Sequence, residues 1–164
     1  MSLEQFNQAS AAEACKQIAH CVAIADWSEA LVAARPFASL PALLATAEKL
    51  ADRWDEQALN QALSGHPRIG EKAKGNGKEA ELSRGEQSNV NAEDRQLKQA
   101  LQAGNATYEE QFGRVFLIRA KGRSGEEMLS ELLRRLANDP QQEQQEALKQ
   151  LREITLLRLM ETFA

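Results

Sequence analysis

"DPQQEQQEALKQLREITLLRLMETF", residues 139–163, is the stretch that decides the fold. Asp139 and Pro140 read as a helix start, because proline's missing N–H falls where no intrahelical bond is made. Ala147, Leu151 and Ile154 then follow at spacings of four and three, which gives a long helix one apolar face. Arg158 continues the same stripe where an apolar residue is expected. A guanidinium cannot lose its charge on burial, so an inward-facing one needs a carboxylate or an anionic ligand. The other reading is a side chain that snorkels out near the end of the chain.

The same logic extends upstream. "SAAEACKQIAHCV" pairs Ser10 with Glu13 in capping-box spacing, and "DWSEALVAARP" reads as a short helix stopped by Pro36. Ser39 is an N-cap for a stripe of Leu43, Leu44, Ala47, Leu50, Ala51 and Trp54. Asp55 caps "EQALNQALS", which Gly65 ends, and residues 70–81, with three glycines and dense charge, read as a surface loop. From Ser83 a long helix is expected to about Ala103, ended by Gly104, with a short helical piece around "TYEEQFG" after it. "VFLIRAKG" is a brief apolar run bounded by glycines, and Ser124 with Glu127 opens one more helix. The expectation is an all-α, single-domain bundle over residues 1–164, of about seven to eight helices with one short irregular apolar segment.

Composition agrees. In 164 residues 43% are apolar and only 5% aromatic, and the net charge is −4. With no long basic run, nucleic acid and anionic membrane are excluded as main partners. No apolar stretch reaches the length of a bilayer span, and no secretory signal is visible, so a cytoplasmic protein is expected. Cys15, His20 and Cys21 invite a metal reading, but placed on one helix they fan around its axis instead of converging. No metal site is expected there.

Two other stretches carry chemistry. Gly65 ends a helix and Pro67 drives His66 into the extended region, so the imidazole stands at a junction with few ways to relax. Such a group suits acid–base work, although Gly-His-Pro is also simply a tight turn. "SRGEQ", residues 83–87, is both a capping box and a helix N-terminus able to receive an anion. Tyr108, Phe112 and Phe116 are core aromatics or a pocket wall.

Taken together, "GHPRIGEKA" (65–73), "LSRGEQ" (82–87), "YEEQFGRVFLIRAKGRS" (108–124) and "EITLLRL" (153–159) resemble the 2-oxo-4-hydroxy-4-carboxy-5-ureidoimidazoline (OHCU) decarboxylases. The upstream "ARPFASLPALLATAEKLADRW" (34–54) is similar to that family too, so the likeness covers nearly the whole chain. The resemblance implies an all-α enzyme without cofactor or metal that converts the ureide OHCU to (S)-allantoin in urate breakdown. By position, His66, Glu86 and Arg158 match the family's catalytic residues. Pro67, Ser83, Arg84, Gly85 and Gln87 match its substrate pocket. Phe116, Leu117, Ile118, Arg119 and Ala120 match the stretch whose backbone meets the substrate. The implied partner is the small-molecule ureide, with a homodimer left open. The residues alone leave two rivals: a non-enzymatic helical interaction domain, and a hydrolase on a related ureide with His66 activating water.

Overall fold

Eight helices make up the regular structure of the described residues, and no strand is found among them. The structure is a computed structural model and describes residues 1–64 and 95–164. In chain order the helices are α1 (Leu3–Gln8), α2 (Ala11–Ile18), α3 (Ala25–Ala33), α4 (Leu40–Ala51) and α5 (Glu56–Leu63). They are followed by α6 (Arg95–Phe112), α7 (Gly125–Arg135) and α8 (Pro140–Thr162). The all-α class holds, and the eight helices among the described residues agree with the expected seven to eight. The helix end at Gly65, the loop at 70–81 and the helix start at Ser83 lie outside the described residues.

The helix starts follow local chemistry. The Oγ atoms of Ser10, Ser39 and Ser124 accept the N–H groups of Glu13, Ala42 and Glu127 at 3.2, 3.2 and 3.1 Å. Asp55 and Asp139 do the same for Ala58 and Gln142, at 3.0 and 2.8 Å. Each such bond satisfies an N–H that the helix itself leaves without a partner. Glu127 turns its carboxylate to Arg123, 2.9 Å away. Helix α1 was not expected, since six residues are too few to display a period. It has a full capping box, in which Ser2 Oγ accepts from Gln5 N–H and Gln5 Oε1 accepts from Ser2 N–H. Arg35 secures its other end, where Nη1 donates to the carbonyls of Phe6 and Ala9 at 2.7 Å each.

The chain divides into two compact units. The first comprises Met1–Ala62 and Arg152–Ala164. Here α1 packs on α2, α2 on α3 and α3 on α4, around Phe6, Ile18, Trp27, Leu31, Leu43 and Leu59. Phe163 meets Phe6 edge-on with ring centres 5.4 Å apart, and Arg152 Nε donates to the Ala51 carbonyl at the end of α4. The second unit is Leu63–Leu151, in which α6 and α7 enclose Leu97, Leu101, Tyr108, Phe116, Met128 and Leu132. No helix among the described residues is long and apolar enough to cross a membrane.

Two expectations fail on a physical ground. Helix α2 ends at Ile18, and the Cys21 N–H closes on the Ile18 carbonyl at 3.0 Å, so His20 and Cys21 sit in a turn and not on the helix of Cys15. Gly104 does not end a helix, for α6 runs unbroken from Arg95 to Phe112. A β-carbon at Gly104 would fall 2.5 Å from Leu132 Cδ2 and 3.2 Å from Cγ. The glycine is therefore there to let α7 approach. The helix is instead stopped by Gly113, whose φ of 71° and N–H bond to the Glu109 carbonyl form the left-handed end expected of a C′ glycine.

Helix propensity alone favours Gly104→Ala by about 1 kcal/mol, but overpacking a filled core costs typically ~1–3 kcal/mol. Gly104→Ala should lower Tm, and the same exchange in a Leu132→Ala background should be neutral or stabilising. A higher Tm for the single variant would show that Leu132 moves aside freely.

Candidate active site

The apolar run after α6 is built by its two flanking glycines and two side-chain anchors. Gly113 turns the chain out of the helix, and Gly122, with a φ of 82°, completes a turn in which Arg123 N–H bonds the Ala120 carbonyl at 3.1 Å. Between them Phe116, Leu117, Ile118 and Ala120 are at most 5% exposed, and Arg119 is half-buried. Buried backbone without a ladder needs other partners. Arg135 Nη1 on α7 donates to the Leu117 carbonyl at 2.7 Å. Gln150 Oε1 on α8 accepts the Arg119 N–H at 2.8 Å.

Arg135 is itself held by charge. It is 2% exposed and Glu143 is fully buried. Arg135 Nε donates to Glu143 Oε1 at 2.5 Å, and Nη2 lies 2.5 Å from the same oxygen, at ion-pair distance but without hydrogen-bond alignment. The guanidinium carbon also stands 4.5 Å over the centre of the Phe116 ring, a cation–π contact. Tyr108 packs edge-on to Phe116, with ring centres 5.2 Å apart, and tilted against Phe112 at 4.7 Å, so Tyr108 and Phe116 are core and Phe112 lies partly buried against them. Burial first, and the nearby Glu143 carboxylate second, raise the Tyr108 phenol well above its ordinary pKa and keep it neutral.

In the other unit, Arg158 is 1% exposed and Ile154, four residues before it on α8, is buried as well. The inward reading is the correct one. Arg158 Nη1 reaches the His20 carbonyl by a long hydrogen bond of 3.4 Å. Thr162 donates its hydroxyl to the Arg158 carbonyl at 2.8 Å, while His20 Nε2 lies 2.7 Å from Thr162 Oγ1. Because the single Thr162 proton is already committed, His20 donates from Nε2. Among the described residues no three His, Cys, Asp or Glu side chains converge as a metal site.

His66, Pro67, Ser83, Arg84, Gly85, Glu86 and Gln87 lie outside the described residues. Phe116, Leu117, Ile118, Arg119 and Ala120 form the held segment of the second unit, and Arg158 belongs to the first. Sequence reasoning missed Arg135 and Glu143, although the signal that singled out Arg158 was available for both. Met128, Leu132 and Arg135 are spaced by four and three on α7, and Glu143 precedes Ala147 by four on α8. Each is a charge on an apolar stripe.

The helices bury Arg158 in the first unit, and in the second a buried Arg135 pins the irregular segment. The profile of the OHCU decarboxylase family matches residues 7–160. The chain is 33% identical to 2-oxo-4-hydroxy-4-carboxy-5-ureidoimidazoline decarboxylase of Amia calva, over 85% of this chain and 78% of that protein. It is 25% identical to the uric acid degradation bifunctional protein of Bacillus sp. (strain TB-90), over 99% of this chain and 32% of that one. Among solved structures, an OHCU decarboxylase crystallised in the presence of (S)-allantoin superposes with a TM-score of 0.75 at 28% identity, covering 88% of this chain and 95% of the other. An (S)-allantoin synthase with a TM-score of 0.71 at 17% identity shares the fold. The chain belongs to the OHCU decarboxylase family.

Removing one partner of a buried ion pair strands the other charge, typically at a cost of ~3–5 kcal/mol. Arg135→Met should therefore be strongly destabilised in urea, and Arg135→Met/Glu143→Leu should regain part of the loss. Recovery stays incomplete because the Leu117 carbonyl still lacks its donor. Losses that simply add in the double variant would show that the pair is not coupled.

Proposed function

We propose that this protein decarboxylates OHCU to (S)-allantoin, without a cofactor, as a carboxy-lyase of urate degradation. The observation that carries the reading is Arg158, a buried guanidinium on an apolar helix face in a chain that belongs to the family, which the sequence resemblance matches to that family's active-site arginine. A cytoplasmic location belongs to the same reading, with Cys15 and Cys21 both as thiols.

The substrate carries a carboxylate and a hydroxyl on one ring carbon, beside a carbon doubly bonded to nitrogen. When the bond to the carboxylate breaks, carbon dioxide leaves and the electron pair moves into the C=N system. An enol-like intermediate results, and a proton delivered to the neighbouring carbon from one face gives the chiral product. The electron sink is thus in the substrate, which is why the chemistry needs no external one. In this reading His66 acts on the hydroxyl and supplies the proton, and Glu86 accepts N–H groups of the ring or ureide. Arg158 stabilises a carbonyl oxygen as negative charge develops there. A clamp on the departing carboxylate alone would tighten the ground state as much as the transition state. Pro67, Ser83, Arg84, Gly85, Gln87 and the segment from Phe116 to Ala120 hold the planar ureide.

Freshly prepared OHCU, followed by circular dichroism and carbon dioxide release, tests the reading: both signals should rise together and yield (S)-allantoin. Product without carbon dioxide would make the protein a hydrolase. His66→Ala should fold and lose roughly two to four orders of magnitude in turnover, the size of an acid–base contribution. Arg158→Lys should lose most activity, because a point charge cannot replace a fork of donors. Glu86→Gln keeps a residue able to cap, so Tm should change little while turnover falls at least about tenfold. Wild-type turnover in folded Glu86→Gln would reduce Glu86 to a helix cap.

A further inference from the structure

Two peptide planes meet at Ile118, and one side chain holds each of them. The plane joining Leu117 to Ile118 is held at its carbonyl by Arg135 Nη1, 2.7 Å away. The plane joining Ile118 to Arg119 is held at its N–H by Gln150 Oε1, 2.8 Å away. Both peptides are trans, so in each plane the N–H and C=O point in opposite directions. The Ile118 N–H therefore faces away from Arg135, and the Ile118 C=O faces away from Gln150. These two groups make no hydrogen bond to any described residue, although Ile118 is only 3% exposed. A buried donor and acceptor on one residue match what a ureide presents, an N–H beside a C=O.

We propose that Gln150, working with Arg135, is a positioning residue for the substrate. By fixing the two planes around Ile118 before the ligand arrives, it aims that residue's N–H and C=O at the ureide. The inference rests on the ureide-binding reading above and adds to it residues that touch no reacting atom. Glu143 takes part through Arg135, whose guanidinium it holds by Nε at 2.5 Å. Gln150 is the place to test the idea, being half-buried, on a helix and far simpler to replace than the buried pair.

The ureide arm does not react, so a misaimed plane weakens ground state and transition state alike and shows in KM. Gln150→Met keeps side-chain length and helix preference but removes the acceptor, whereas Gln150→Glu retains it. With wild-type turnover of OHCU as reference, Gln150→Met should raise KM roughly tenfold, the scale of one lost hydrogen bond, with kcat within about threefold. Gln150→Glu should return KM to within about threefold of wild type, the acceptor being restored. Amide exchange at Arg119 should quicken in the Met variant and stay slow in the Glu variant. A purely structural role predicts lower Tm with KM unchanged, and that result overturns the proposal. Equal KM for Met and Glu overturns it too, because the acceptor would then be irrelevant. If the wild-type protein leaves OHCU untouched, the decarboxylase reading fails first and this inference goes with it.

Discussion

A guanidinium keeps its charge on burial, and this constraint organises the second unit around Arg135. A guanidinium 2% exposed must be met by a carboxylate, and Glu143 meets it from the first turns of α8. The pair then does more than cancel charge. Its Nη1 holds the Leu117 carbonyl, and its planar face covers the Phe116 ring. Helix α7, the start of α8 and the irregular segment after α6 are thereby tied to one group. A well-packed apolar pair could stabilise this place as well or better, but it would leave the Leu117 carbonyl without a donor. The charge is justified by the backbone it holds.

Arg158 presents the same physics in the first unit. Here too a guanidinium is 1% exposed, and the residues around it are arranged accordingly. The His20 carbonyl turns toward it, and Thr162 bonds back to the Arg158 carbonyl within the helix. His20 is set as an Nε2 donor to Thr162, so the chain's other histidine has an identifiable structural task. A buried guanidinium is what gives the proposed decarboxylase reading its chemical content. Negative charge that develops on a substrate oxygen is best met by a group already in place and already charged.

Helix starts were legible because their chemistry is local. A Ser or Asp side chain reaches an N–H two or three residues on, and no distant residue changes that bond. Ser10, Ser39, Asp55, Ser124 and Asp139 all behaved accordingly. Glycines were less legible. Gly104 and Gly113 look alike in sequence, yet one is a helical close approach and the other a helix end. The difference lies in Leu132, far along the chain, which no local pattern can reveal. Arg135 and Glu143 were readable in principle as charges on apolar stripes, but their pairing bridges two helices.

By itself, then, the sequence determined the all-α class, the helix starts at Ser10, Ser39, Asp55, Ser124 and Asp139, and the apolar stripe that carries Arg158, whose direction it left open. Each follows from contacts within a few residues or from a period along one helix. Only tertiary structure decided that Gly104 admits Leu132, that Arg135 finds Glu143, and that Leu117 and Arg119 are held from α7 and α8. Those outcomes depend on which surfaces meet. Burial leaves each polar group to find a partner among neighbours that packing, not chain order, brings near.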